Sequence, residues 1–250
     1  MKNLLIISLV VIFVCGSISA AQRPRRGRAR ASARASNCPE ELNDITDCPD
    51  EGCGLDYDPN LNLRKNITSD DQPAVSKTLE DMKELDDPVH FKKKGDSREE
   101  LTALGEGQKI RVVAFALVAR KGSAESCNCG LTAVADTDNH IVLVDPTLKS
   151  PFLEDDEEDS ETAEFTPRVR IDHPNLSRAK LQRLIDAAPN HALRVRVTGL
   201  LMFDSEHFLG HHLKRHNNWE IHPVLGLEFC PKGARCTAAS DSNWKSLEDQ

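Results

Sequence analysis

Five residues at the ends or on the polar face of predicted strands carry side chains that can bind a metal ion or transfer protons. They are His140, Asp204, His207, Glu220 and His222. Imidazole and carboxylate groups together bind divalent transition metals such as zinc or manganese, and they also serve as acid and base. If "LLMFD" and "WEIHPV" pair as antiparallel strands, these side chains approach one another. We therefore predict one site, with a purely structural hydrogen-bonded network as the alternative.

Apolar periodicity predicts the elements that would position this site. "KIRVVAFALVARK" (109–121) and "HIVLVD" (140–145) are typical of buried strands, and a weaker strand is predicted between them, within 129–138. Residues 176–188 predict an amphipathic helix capped by Ser177. "LRVRVTG" alternates apolar and polar residues, and its glycine predicts a bulge. "WEIHPVLGLEF" places Glu220 and His222 on the face opposite its apolar residues.

This order of elements predicts a mainly β protein. Residues 106–230 are predicted to form a small OB-like antiparallel barrel with one helix between strands three and four, interrupted by an acidic loop at 153–162. A β-sandwich is the alternative. Residues 38–105 are predicted as a helical and loop segment that contains cysteines, including helices over 73–86 and after a capping box at 97–100. Residues 231–250 follow as a C-terminal tail.

The first twenty residues are typical of a secretory signal peptide. Lys2 precedes an apolar run, and small residues at 17, 19 and 20 suit cleavage. We predict a secreted or periplasmic protein, with lipoprotein anchoring through Cys15 as the less favoured alternative. The apolar run is too short to span a bilayer, and no later stretch is long and apolar enough to do so.

Charge is distributed unevenly along the chain. Its formal net charge is −8; without the leader's single Lys2 it is −9. The predicted disordered arm at 21–37 carries six arginines and no acid, which leaves −15 on the remainder. The arm can adhere to an anionic envelope surface or act as a solvated spacer. The acidic body argues against a nucleic-acid groove.

Seven cysteines remain after the leader, at 38, 48, 53, 127, 129, 230 and 236. In an exported chain they favour disulfides. Cys230 and Cys236 flank a loop with Pro and Gly and are predicted to pair. The other five, Cys38, Cys48, Cys53, Cys127 and Cys129, can supply further disulfides or bind a metal. A zinc site of Cys48, Cys53, Cys127 and Cys129 is one alternative, although their spacing does not match a zinc knuckle. Because seven is odd, at least one thiol is free, metal-bound or paired between chains.

Four motifs carry a resemblance to a known family. "ESCNCGL", "DTDNHIVLV", "RVTGLLMFDSEH" and "WEIHPV", in this order, resemble a family of uncharacterised secreted bacterial proteins over residues 105–229. The resemblance implies that Cys127 and Cys129 belong to the core, with a bridge or a metal. It implies no activity, because that family has none established.

Two functions are compatible with these features. The first is a secreted or periplasmic binding or structural protein on an OB-like barrel, because no signature of catalysis accompanies the polar residues. The alternative is a metal-dependent hydrolase of phosphodiesterase or nuclease type, with zinc or manganese held by His140, His207 and His222. There, Asp204 or Glu220 would orient a ligand or act as base.

Overall fold

The computed structural model describes residues 37–92, 95–207 and 214–250. The predicted signal peptide, Cys15 and all but the last residue of the arginine-rich arm lie outside the described residues. No helix in the described part is long and apolar enough to cross a membrane.

The described residues fold mainly into a β-sheet. Its strands are β1 (Val75–Lys77), β2 (Lys109–Lys121), β3 (Asn139–Val144), β4 (Glu161–Phe165), β5 (Leu193–Phe203), β6 (Trp219–Phe229) and β7 (Lys245–Ser246).

Five of these strands close into a barrel, in the order β2-β3-β4-β6-β5 and back to β2. The β4–β6 pair is parallel and the other four strand pairs are antiparallel. The barrel is therefore mixed, whereas the prediction was an antiparallel barrel. A small barrel consistent with the OB-like prediction is confirmed. Two further strands extend the sheet, β1 beside β2 and β7 beside β6.

The described helices are short. They are α1 (Pro59–Lys65), α2 (Leu79–Lys83), α3 (Glu99–Ala103), α4 (Leu153–Asp156), α5 (Pro167–Asp172) and α6 (Arg178–Ala187), with 3-10 turns at Ile45–Asp47, Ser126–Asn128, Glu157–Asp159 and Pro189–His191.

The predicted amphipathic helix is α6, which connects β4 to β5. Ser177 caps it by accepting from the Lys180 N–H, and Leu181 and Ile185 are fully buried in the barrel core. The connection also contains α5, so two helices lie between the third and fourth barrel strands, not one.

Two predicted elements are wrong. The helix over 73–86 is replaced by β1 and the shorter α2, because Thr78 and Asp81 form a capping box that starts the helix only at Leu79. No strand forms within 129–138, where Cys129 has a left-handed backbone and is held by a disulfide. The third strand of the barrel is instead β4, whose first residues belong to the predicted acidic loop. The rest of that loop forms α4 and a 3-10 turn.

The bulge predicted at Gly199 in β5 lies instead in the neighbouring strand, β6. Thr198 pairs with Gly226, Gly199 with Val224 and Leu201 with Ile221, so β6 carries the extra residues, one at Leu225 and one at His222 and Pro223. A Cβ on Gly199 would lie 2.4 Å from the Pro223 carbonyl oxygen, which explains the glycine. Because proline lacks an N–H, Pro223 suits a position where the ladder is interrupted, and the bulge sets the direction of the neighbouring His222.

The C-terminal residues pack on the barrel. Trp244 is 7% exposed, and Leu247 is fully buried in the main core. In the same region Arg196 lies over the Trp244 ring. The predicted tail is therefore a structured part of the protein.

Candidate functional site

A layer of charged side chains lies on the outer face of the barrel. In β4 and β6, Glu164, Glu220 and His222 alternate with the core residues Ala163 and Ile221 and so point away from the core. All three are nevertheless buried, with exposures of 4%, 1% and 1%. Glu125 and Asp138, from the connection between β2 and β3, and Arg215, from the connection between β5 and β6, lie close to them. Lys65, from the N-terminal segment (residues 38–105), pairs with Glu125.

We define the polar cluster as the ionisable side chains of this layer that contact one another. Its members are Lys65, Glu125, Cys127, Asp138, His140, Glu164, Asp204, Glu206, His207, Arg215, Glu220 and His222.

Glu164 occupies the centre of the cluster. Its Oε1 lies 3.2 Å from His140 Nε2, and its Oε2 lies 3.1 Å from His222 Nδ1. His222 Nδ1 also lies 3.1 Å from Glu220 Oε1, to which it can donate a hydrogen bond. The Glu164 carboxylate therefore connects His140, whose side chain is 35% exposed, with His222, whose side chain is fully buried.

In the described part of the chain, three groups of side chains bring potential metal ligands within 4.8 Å of one another: Glu125, Cys127 and Asp138; Glu125, His140 and Glu164; and Asp138, Glu164 and His222. Carboxylate oxygen, imidazole nitrogen and thiolate sulfur are all ligands of zinc, and manganese prefers the first two. His207 belongs to none of these groups.

Three buried polar atoms in the third group lack an aligned hydrogen-bond partner among the described residues. They are His222 Nε2, Asp138 Oδ1 and Glu164 Oε2, the last of which faces His222 Nδ1. A buried polar atom without a partner costs free energy, and a metal ion is one way to satisfy it. Once His222 has lost its second proton, donation from Nδ1 to Glu220 leaves Nε2 with its lone pair, which is the arrangement found in carboxylate–histidine–metal units.

The second half of the cluster is organised by Arg215. Its guanidinium lies 2.7 Å from Glu220 Oε2 and 2.5 Å from Asp204 Oδ2, and Asp204 also contacts His207 Nδ1 at 2.6 Å. The predicted proximity of Asp204 to Glu220 is therefore mediated by a cation. Among the described residues, a chain of ion pairs through Asp204, Arg215 and Glu220 joins His207 to His222.

Lys65 connects the N-terminal segment to the cluster through ion pairs. Its Nζ lies 2.6 Å from Glu125 Oε2 and 3.5 Å from Glu206 Oε2, although its side chain is only 3% exposed. Burial lowers the pKa of Lys65, but Glu125 and Glu206 outweigh this effect and raise it well above the usual value. The ammonium is therefore charged and part of the site.

Burial and charge displace several other pKa values. Burial, followed by Glu125, raises the pKa of Asp138 to about 7 and that of the Cys127 thiol well above its usual value. Burial lowers the pKa of His222, but Glu164 and Glu220 outweigh it and raise the pKa to about 10. These groups hold protons near neutrality, and a bound metal ion would displace them.

Three disulfides use six of the seven described cysteines: Cys38–Cys53, Cys48–Cys129 and Cys230–Cys236. The third is the pair expected from its loop. The first two replace the four-cysteine zinc site considered from the sequence, because oxidised sulfur is no longer a thiolate ligand. Cys127 stays a buried thiol within the polar cluster.

The structure thus brings all five predicted residues into one network and adds members that the sequence did not single out as ligands. Glu164, Glu125, Lys65 and Arg215 belong to this added set. The residues around Glu164 are typical of an extended backbone, so the sequence indicates that Glu164 lies in a strand. Its pairing with His140, however, follows only from the register of β3 and β4.

No protein-family model, curated protein or solved structure matches the chain. The resemblance to secreted bacterial proteins therefore stays a prediction from the motifs.

Proposed function

We propose that this chain is a secreted protein that binds a divalent transition metal ion, zinc or manganese, in the polar cluster. The observation that carries the proposal is the group of Asp138, Glu164 and His222, which are buried, close enough to share an ion and partly without hydrogen-bond partners. A cation placed there would meet two carboxylates and an imidazole nitrogen, a ligand set suited to both metals.

Export is part of the proposal. Three disulfides favour an oxidising environment. The pattern of residues 1–20 and the arginine-rich arm support export followed by contact with an anionic envelope surface. Deletion of residues 21–36 followed by cell fractionation tests the role of the arm: retention in the envelope should fall, and unchanged retention would refute it.

Metal-dependent hydrolysis is a second candidate because the ligand groups include a partly exposed residue. The His140 side chain is 35% exposed, so an ion beside it can keep a position open for water or substrate. The charge of −15 on the body disfavours polyanionic substrates. Chelator-sensitive cleavage of phosphoester, peptide or ester substrates would support this candidate, and its absence across all three would favour a binding protein.

Calorimetric titration of chelator-treated protein with Zn²⁺ and Mn²⁺ tests metal binding. We expect saturable binding by the wild type and by His207→Gln, and at least a hundredfold weaker binding by His222→Ala. His207 is the matched control, because it is a histidine hydrogen-bonded to a carboxylate in the same network but belongs to no ligand group. Equal binding by the wild type and His222→Ala would contradict the proposed site.

A further inference from the structure

The three ligand groups share their carboxylates in a particular way. Glu125 belongs to the groups of Cys127 and His140, Asp138 to those of Cys127 and His222, and Glu164 to both groups that contain a histidine. Each histidine therefore has its own set of potential ligands, and Glu164 is common to the two sets. A carboxylate shared in this way can lie between two ions.

The two oxygens of Glu164 face different imidazoles. Oε1 is the atom near His140, and Oε2 is the atom near His222. Neither Glu164 Oε2 nor His140 Nε2 makes an aligned hydrogen bond among the described residues. A carboxylate placed in this way can give one oxygen to each of two ions, which in dinuclear sites lie about 3.5–4 Å apart.

The buried charge also matches two ions. Glu125, Asp138 and Glu164 as carboxylates and Cys127 as thiolate bring four negative charges, and none of the four residues is more than 8% exposed. Because Asp138 and Cys127 hold protons near neutrality, all four charges develop only when bound ions displace these protons, and two divalent ions would then neutralise them.

Two cations of the cluster have carboxylate partners of their own. Lys65 lies 2.6 Å from Glu125 and 3.5 Å from Glu206, so it compensates part of the charge of Glu125. Arg215 lies between Asp204 and Glu220, which are outside the three ligand groups.

We infer that the polar cluster holds a dinuclear centre in which Glu164 bridges two divalent transition metal ions. Asp138 and His222 complete the protein ligands of the inner ion, and Glu125 and His140 those of the outer ion. Cys127 lies against Glu125 and Asp138, one carboxylate from each set, so its thiolate can bind either ion. This inference rests on the proposed metal-binding function and specifies its stoichiometry.

Elemental analysis of the untagged protein after zinc loading and gel filtration tests the inference. We expect two ions per chain in the wild type and in His207→Gln, and one in His140→Ala, which keeps the inner set. Glu164→Gln should bind no more than one ion. One ion in the wild type would overturn the dinuclear centre but keep the proposed function, and no ion would overturn both.

X-ray absorption at the zinc edge of the loaded wild type provides a readout that does not require a variant to fold. A zinc–zinc scattering distance of about 3.5–4 Å would support the bridge. Two bound ions without such a distance would place the second ion elsewhere and contradict the role of Glu164.

Discussion

Glu164 and His140 are directly opposite each other in the register of β3 and β4, and Glu164 Oε1 lies 3.2 Å from His140 Nε2. The pair links the buried part of the polar cluster to its partly exposed edge. Because the other Glu164 oxygen faces His222, the same carboxylate connects the two imidazoles that the proposed metal site requires. The following predictions test this arrangement and the packing that supports it.

Chelation should destabilise the folded protein. A ligand that binds only the native state adds RT ln(1 + [L]/Kd), about 4 kcal/mol when its concentration is a thousand times Kd. We expect EDTA to lower the thermal unfolding midpoint of zinc-loaded wild type by several degrees. In Glu164→Gln the shift should be much smaller, because the shared ligand is lost. Equal shifts in both proteins would place the stabilising ion outside the polar cluster.

Replacement of Arg215 by methionine should destabilise the protein strongly. The Arg215 side chain is 7% exposed and is the cation between Asp204 and Glu220, so its loss leaves these two buried carboxylates with only their histidine partners, His207 and His222. We expect urea titration to show a loss of about 3–5 kcal/mol. Lys83→Met is the control, because its partner Asp159 is 68% exposed and the loss should stay below about 1 kcal/mol. Similar losses in the two variants would mean that Arg215 is not an essential counter-ion.

Glu161 should make stability fall as pH rises. Burial raises the pKa of Glu161 from 4.5 to about 8, and both its oxygens lack hydrogen-bond partners in the described part of the chain. The folded state then holds a proton that the unfolded chain has released, so the free energy of unfolding decreases between pH 4.5 and about pH 8.

The Glu161→Gln variant tests this pH dependence. Relative to the wild type it should gain about 2 kcal/mol or more between pH 5 and pH 9, measured by urea unfolding at each pH. Glu158→Gln is the control, since the Glu158 side chain is exposed and should leave the profile unchanged. Parallel profiles for wild type and Glu161→Gln would contradict a protonated Glu161.

Removal of the Cys48–Cys129 disulfide should cost more stability than removal of Cys230–Cys236. The first joins residues 81 positions apart and the second joins residues 6 apart. Loop-closure entropy predicts losses of about 4 and about 2 kcal/mol for the paired serine variants. Because Cys129 is two residues from Cys127, the first variant should also bind metal more weakly, whereas the second should not. Retained metal affinity in the first variant would show that the N-terminal segment is not needed to form the site.

Much of the barrel is predictable from the sequence because its strands carry local signals. The alternation of Trp219, Glu220, Ile221 and His222 correctly separates the core face from the polar face. Burial of that polar face is not predictable in the same way. It depends on Lys65 and on the disulfide-linked segment, which contact the connection between β2 and β3 from far along the chain.

The central residue of the site was missed for a similar reason. Glu164 follows an acidic run that reads as a solvated loop, and its contact with His140 requires the β3–β4 register. Local periodicity also failed at residues 73–86. The spacing of Leu79 and Met82 is compatible with a long helix, but the side chain of Thr78 fixes a later start.

Elemental zinc and manganese content of the untagged protein, purified without added metal or chelator, tests the central claim most directly. The account predicts at least one ion per wild-type chain and almost none in a His140→Ala/His222→Ala double variant whose circular dichroism shows that it still folds. A folded wild-type protein that contains no metal, and takes up none on dialysis against zinc or manganese, would contradict it and leave the polar cluster as a structural network.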